Sequence, residues 1–347
     1  MNKIIRWAGG LACIVLAASC NDKLEIAAPY KNITVVYGLL DMTDSAHYIR
    51  IEKAFMDGNQ SAVDMAKVPD SSFYNALTVS MKEFNAGGTL INTYALSRVN
   101  LDNEGYAKDT GAFFSTPNYA YKFKGLLNSG NTYRLMIYNT ATGVMDSAET
   151  NVIDSNTASF GLTEWKLAAQ TISFAREYTF DGDKLYQKTY TVNVPKNASV
   201  FQLYLRFNWV DSNIATHTSV AHSADFSTFY ASGSNTLTVT NRDIYDFLRS
   251  TLGVPSDANQ YRYFDSCDMI LYAAGSEYKR YQELNQNTGG LTANEIKQQY
   301  TNIKGENVMG LFSTRAHVQK LQVPFSDDTK DSVAINRRTA DLNIRFR

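Results

Sequence analysis

Leu77-Thr78-Val79-Ser80-Met81-Lys82-Glu83-Phe84 alternates apolar and polar side chains with period two, the spacing of a strand with one face on a core and one in water. The pattern breaks at Gly87-Gly88 and resumes from Thr89 to Val99, which is the grammar of a hairpin. Upstream, Ile33 to Leu40 and His47 to Ile51 are β-rich runs separated by the polar turn Asp41-Met42-Thr43-Asp44-Ser45. Downstream, Tyr119 to Phe123, Thr132 to Tyr138 and Val144 to Val152 continue the series, the second entered from the turn Asn128-Ser129-Gly130-Asn131. About seven short strands punctuated by turns predict an immunoglobulin- or transthyretin-like β-sandwich over residues 30–154. Asp57 to Ser72 reads as a long insertion, and Asp154-Ser155-Asn156-Thr157 as the boundary of this unit.

Residues 155–347 read as an α+β domain with two or three short helices. Thr171 to Phe174, Lys184 to Val194, Val200 to Val210, Thr236 to Thr240 and Asp268 to Ala273 are strands, with more near the C-terminus. Asn241 is the expected N-cap of a helix carrying Ile244, Phe247, Leu248 and Leu252 on one face, closed by Gly253 and Pro255. Ser276 to Leu284 is a second helix with Tyr278, Tyr281 and Leu284 along one stripe. Thr292-Ala293-Asn294-Glu295 is a capping box for a third.

Apolar residues make up 44% of the chain and charged residues 19%, enough for buried cores and wrong for a disordered or fibrous protein. Lys+Arg 33 against Asp+Glu 34 leaves no basic excess of the kind nucleic acid attracts. Residues 1–19 read as an export signal: Lys3 and Arg6 precede the apolar run Trp7 to Ala18, which is well short of the roughly 20 residues that span a bilayer. Leu16-Ala17-Ala18-Ser19-Cys20 looks like the lipobox of bacterial lipoproteins, with cleavage between Ser19 and Cys20. That resemblance implies a diacylglycerol thioether on Cys20 and an acylated amine. Two or three fatty chains, at about 0.8 kcal/mol per buried CH₂, hold a protein on a membrane durably. Residues 20–29 would then be a lipidated tether on an envelope protein, facing the periplasm or outward. Cys13 leaves with the signal and Cys20 is lipidated, so Cys267 is the one thiol in the folded part. It shares a strand face with Met269 and Leu271, the place of an inert core residue.

Beyond the lipobox, Thr34-Val35-Val36-Tyr37-Gly38-Leu39, Ser129-Gly130-Asn131-Thr132-Tyr133-Arg134-Leu135, Thr301-Asn302-Ile303-Lys304-Gly305 and Gly310-Leu311-Phe312 follow one another along the mature chain. In this order they resemble the Bacteroidota lipoproteins built on domain of unknown function 4249. The resemblance implies an envelope lipoprotein of a kind associated with outer-membrane transporters. It offers no catalytic residues to carry over.

Chemistry-bearing motifs are sparse. The chain has no Gly-x-Ser-x-Gly elbow, Walker loop, His-Glu-x-x-His or Rossmann fingerprint, and no cofactor or metal is expected. His217 and His222, five apart in a Ser/Thr/Ala-rich stretch, read as solvated loop residues rather than zinc ligands, while His47 and His317 read as ordinary hydrogen-bonded residues. In Asp181-Gly182-Asp183 a calcium loop would need oxygen ligands where Leu185, Gln187 and Val192 stand, so a tight turn is expected. Asp327-Asp328 with Asp331 reads as an acidic loop. The candidate ligand contacts are aromatic: Phe226, Phe229 and Tyr230 in one stretch, and Tyr261 and Tyr263 around Arg262 in another, suited to stacking on a glycan or gripping a peptide. They could equally anchor long loops, with Arg262 in a structural cation–π contact. The expected function is non-enzymatic binding at the envelope, alongside a transporter. A surface adhesion or structural role, or a hydrolase with a carboxylate pair, are the alternatives. Labelled palmitate should enter the wild-type protein and fail to enter Cys20→Ala; equal labelling of the two would refute the anchor.

Overall fold

A computed structural model describes residues 33–54, 61–111, 113–154, 160–166, 171–175, 185–228, 234–286 and 300–347. The signal, Cys20 and its tether, the Asp181-Gly182-Asp183 turn, Phe229, Tyr230 and the Thr292 capping box lie outside them. The first half supplies β1 (Ile33–Asp41), β2 (Ala46–Ala54), β3 (Leu77–Phe84), β4 (Leu90–Ala95), β5 (Ser97–Asn100), β6 (Tyr119–Lys124), β7 (Thr132–Asn139) and β8 (Met145–Asn151). The second supplies β9 (Gly161–Leu162), β10 (Gln187–Asn193), β11 (Val200–Asn213), β12 (Thr218–Ser227) and β13 (Thr236–Thr240), then helix α1 (Asn241–Leu252). β14 (Gln260–Ala274), α2 (Ser276–Gln286), β15 (Ile303–Lys304), β16 (Val308–Val323), α3 (Asp327–Ile335) and β17 (Ile344–Phe346) complete it. The chain is therefore mainly β, a sandwich followed by an α+β half with short helices.

One long sheet, ordered β12-β11-β14-β16-β1-β2-β6-β5 with β17 also on β14, runs through both halves. Its inner face carries two cores. At one end Val36, Ile49 and Phe312 meet Val79, Met81 and Leu135 of a second sheet, β15-β8-β7-β3-β4, closing the sandwich. At the other, Leu203, Phe207 and Leu271 pack beneath the small sheet β13-β10-β9 and α1, where Tyr190, Leu237 and Ile244 meet them. Cys267, Met269 and Leu271 share this core as their spacing predicts, and burial pushes the Cys267 thiol up.

The boundary expected at 154–157 divides neither the sheet nor the first core, in which Ile303 and Phe312 pack beside Val36 and Leu135. β16 begins in the first core, pairing in parallel with β1 from Thr34↔Val308 to Asp41↔Arg315, and runs on into the second, while β15 pairs with β8. The late motif residues make this return possible. Asn302 brackets Phe312, its Nδ2 donating to the Phe312 carbonyl at 2.7 Å and its Oδ1 accepting from the Phe312 N–H at 2.9 Å. Gly310, at φ +134°, lies so close to β1 that a Cβ would stand 1.9 Å from the Val36 carbonyl oxygen. Only glycine fits there.

Several local readings change. The expected single strand from Thr89 to Val99 breaks at Leu96, and the chain switches sheets: β4 pairs β3, whereas β5 pairs β6. The Ser/Thr/Ala-rich stretch around His217 and His222 is a long hairpin, not a loop, because β12 finds a full ladder on β11. Thr240, not Asn241, caps α1, its hydroxyl accepting from the Asp243 N–H at 3.2 Å. The Asp327 loop is instead α3, capped by Ser326, with Asp327 and Asp328 in the first turn where the helix dipole favours anions.

The turn at Asn128 is fastened by a carboxylate. Glu83 is fully buried and accepts from Asn128 Nδ2 (2.6 Å), Asn131 Nδ2 (2.7 Å), the Tyr94 hydroxyl (2.8 Å) and Asn92 Nδ2 (3.3 Å). Burial alone would raise its pKa; these four donors outweigh burial and hold it at about 2. A depressed folded value gives stability that is complete above the unfolded pKa and lost as pH falls through the folded one. Denaturant titrations at pH 5 and pH 2 should show the wild type losing about 3 kcal/mol more than Glu83→Gln over that interval.

Candidate functional site

Among the described residues, the outer face of the long sheet is only partly covered. Cross-strand register brings Gln202 of β11 opposite Tyr272 of β14, and Tyr272 opposite His317 of β16. On the same face, α2 lies against β16, where the Ser313 hydroxyl donates to Glu277 Oε2 at 3.3 Å. Between α2 and the strands an open cavity of about 230 Å³ is lined by Tyr204, Tyr272, Tyr278, Gln202, Arg206 and Arg315, among others. Alternation explains the lining: the core takes Leu203, Leu205 and Leu271, so the intervening tyrosines and arginines must face out.

These side chains hold one another in place. Tyr204 meets Tyr272 edge-on at 5.4 Å between ring centres, and the Arg315 guanidinium lies 5.5 Å above the Tyr272 ring. Tyr278 accepts from Gln282 Nε2 at 2.9 Å and stacks with Tyr281 at 6.5 Å. At the rim Arg206 and Asp225 form a two-point ion pair at 2.7 and 2.8 Å.

Behind Arg315 stands Asp41, 2% exposed. Its Oδ2 accepts from Arg315 Nε at 2.7 Å and lies 3.2 Å from His317 Nδ1; its Oδ1 accepts from the Thr43 hydroxyl at 2.6 Å and the Thr43 N–H at 3.0 Å. Burial opposes ionisation of Asp41, but His317, Thr43 and Arg315 outweigh it and hold the carboxyl far below the usual range. The hydrogen bond to Asp41 in turn raises His317. This trio is not a nucleophile relay. Thr43 Oγ1 and Asp41 Oδ2 both address Nδ1 of His317, at 2.9 and 3.2 Å, whereas a base that activates a hydroxyl needs its two ring nitrogens divided between hydroxyl and carboxylate. Its effect is to fix Arg315, whose Nε is committed to Asp41.

The residues singled out from sequence lie elsewhere. Phe226 is partly buried against the second core and packs edge-on against Phe247 at 5.6 Å, as an anchor of its strand does. Arg262 is 4% exposed and donates to the carbonyls of Leu252, Gly253 and Leu342, pinning the end of α1 to the C-terminal segment. It is unavailable to a ligand and stacks on neither neighbour. Tyr261 and Tyr263 are half-buried and covered instead by Arg345 and Arg347, at 5.3 and 4.6 Å. His217 sits at the hairpin tip with φ 55°; His222 stacks on Trp209 at 5.5 Å with Asp211 3.6 Å away. His47 is buried, with Nε2 3.0 Å from the Gly125 carbonyl, and burial lowers its pKa. Among the described residues, no three His, Cys, Asp or Glu side chains are grouped to hold a metal. Alternation in Val200 to Val210 could have flagged Tyr204 and Arg206; nothing local links Asp41 to Arg315.

No family model matches the chain, and no curated protein is significantly similar to it. Among solved structures, the C-terminal globular domain of an oligosaccharyltransferase from Pyrococcus abyssi aligns with 86% of this chain at 11% identity and a TM-score of 0.19. The chain spans about half of that one, 50%, and an overlap this weak carries no argument.

The Asp41–His317 pair has a measurable signature. A raised folded pKa gives stability fully present below the unfolded histidine value and lost as pH rises through the folded one. In an NMR titration His317 should titrate above a free histidine in the wild type and below it in Asp41→Asn, where burial and the Arg315 charge outweigh the smaller pull of Asp44.

Proposed function

We propose that this is a lipid-anchored envelope protein that binds a partner or ligand on the outer face of its long sheet, without catalysing a reaction, in support of an outer-membrane transporter. The cavity of Tyr204, Tyr272, Tyr278 and Arg315 carries this reading. Rings that stand on a rigid sheet offer stacking faces at small entropic cost, and a guanidinium held by a buried carboxylate offers a fixed donor edge. Such a surface suits a glycan or peptide that presents a flat face and an acidic or carbonyl oxygen. The lipobox and the resemblance to the Bacteroidota lipoproteins support the address. Among the described residues no helix is long and apolar enough to cross a membrane.

Anchoring is the mechanism: acyl chains on Cys20 would confine the sheet to a membrane and raise its effective concentration for a neighbouring protein. A photo-crosslinker placed at Tyr278 in intact cells should capture one specific envelope partner or glycan. Tyr272→Ala should lower the yield at least tenfold while the melting temperature stays within a few degrees of wild type. Capture that is diffuse, or unaffected by Tyr272→Ala, would overturn the assignment of this face.

A further inference from the structure

The sandwich holds a second cavity, of about 310 Å³, at the end where β1, β3 and β7 meet the turn between β15 and β16. Its walls are of two kinds. Leu77, Ile137, Val144 and Tyr74 give an apolar sleeve; Thr34, Asn139, Thr142 and Asn307 add hydroxyl and amide groups, and the two carboxyls are Asp146 and Glu306. Among the described residues no lysine or arginine lines it. Lys53 lies over the far wall, 5.6 Å from the Tyr74 ring, but its ammonium donates to the Asp70 carbonyl at 2.7 Å.

Asp146 is anomalous. It occupies a core-facing position of β8, in line with the buried Ala148 and Thr150, and is itself 5% exposed. Its Oδ1 is sealed from solvent and has no hydrogen-bond partner among the described residues. The chain makes room for it: Gly305 lies so close that a Cβ would stand 1.9 Å from Asp146 Oδ1. Burial raises the Asp146 pKa, with no donor to offset it. A carboxylate left alone in such a place is costly, and a cation brought to it recovers that cost.

We propose that this cavity is a binding site for an ammonium or guanidinium group carried on an aliphatic stem, with the cation seated on Asp146, the stem in the Leu77–Ile137–Val144 sleeve, and Glu306 at the rim. Such a group occurs in free amines and in lysine or arginine side chains. The site lies apart from the aromatic cavity and stands whether or not that surface binds a ligand.

Thermal-shift and NMR titrations of the folded mature protein should use agmatine and cadaverine for the free-amine source, and acetyl-Gly-Arg-Gly-amide and acetyl-Gly-Lys-Gly-amide for the side-chain source. At least one should raise the melting temperature by several degrees and shift the Ile137 and Val144 methyl signals. Asp146→Asn, isosteric and relieved of a buried charge, should fold at least as stably and bind at least tenfold more weakly; Glu306→Gln should weaken binding less. Small amines alone binding assigns a metabolite site, and peptides binding more tightly assigns a partner's side chain. Absence of binding by all four, equal binding by Asp146→Asn, a shift produced by calcium chloride but not by the amines, or Asp146-dependent hydrolysis of aryl glycosides would each overturn it.

Discussion

The parallel pairing of β1 with β16 is the contact on which the rest of the structure depends. It joins strands from opposite ends of the chain, and without it the long sheet would divide between the two cores. The pairing is specific because the chain has removed what would block it and added what fixes its register. Gly310 lets two backbones approach where any side chain would strike the Val36 carbonyl, and Asn302 holds Phe312 by both edges of its peptide unit. Phe312 then fills the first core beside Val36 and Leu40, while Ala316, four residues on, lies in the second. One strand thus contributes to both interiors.

A sheet committed on one face leaves the other to polar and aromatic side chains, and that division creates the candidate binding surface. Strand periodicity places Tyr204, Arg206, Tyr272 and Arg315 on the outside as a consequence of placing Leu203, Leu205, Leu271 and Ala316 on the inside. Asp41 turns this from a list of exposed residues into an arrangement. A buried carboxylate shared by arginine, histidine and threonine restricts the guanidinium in advance, which would lower the ordering cost of the proposed binding.

Much of the fold could be read directly in the residues. Period-two runs located β1, β2, β3, β6, β7 and β8 to within a few positions, because each has one face on a core and one in solvent. Where both faces are polar the signal fades: Thr218–Ser227 is an edge strand held by its ladder, and its composition reads as a loop. The Asp327 helix was hidden for a related reason, since its acids belong to a capped first turn and also suit a solvated loop. The candidate surface was harder still. Aromatic clustering along the sequence pointed to Phe226 and to the Tyr261–Tyr263 stretch, whereas the cavity draws Gln202, Tyr272 and Arg315 from three strands that meet only through register. Asp41 and Arg315 are 274 positions apart, beyond the reach of any local pattern.

That separation has a kinetic consequence. The chain is made from the N-terminus, so β1 exists long before the strand that covers one of its edges, and until then the N–H and C=O groups of that edge have only water for partners. Contacts this remote slow folding, because chain closure is a loss of entropy that precedes any gain from pairing. Until Val308–Val323 emerges, the nascent chain presents an apolar edge able to recruit strands from other molecules.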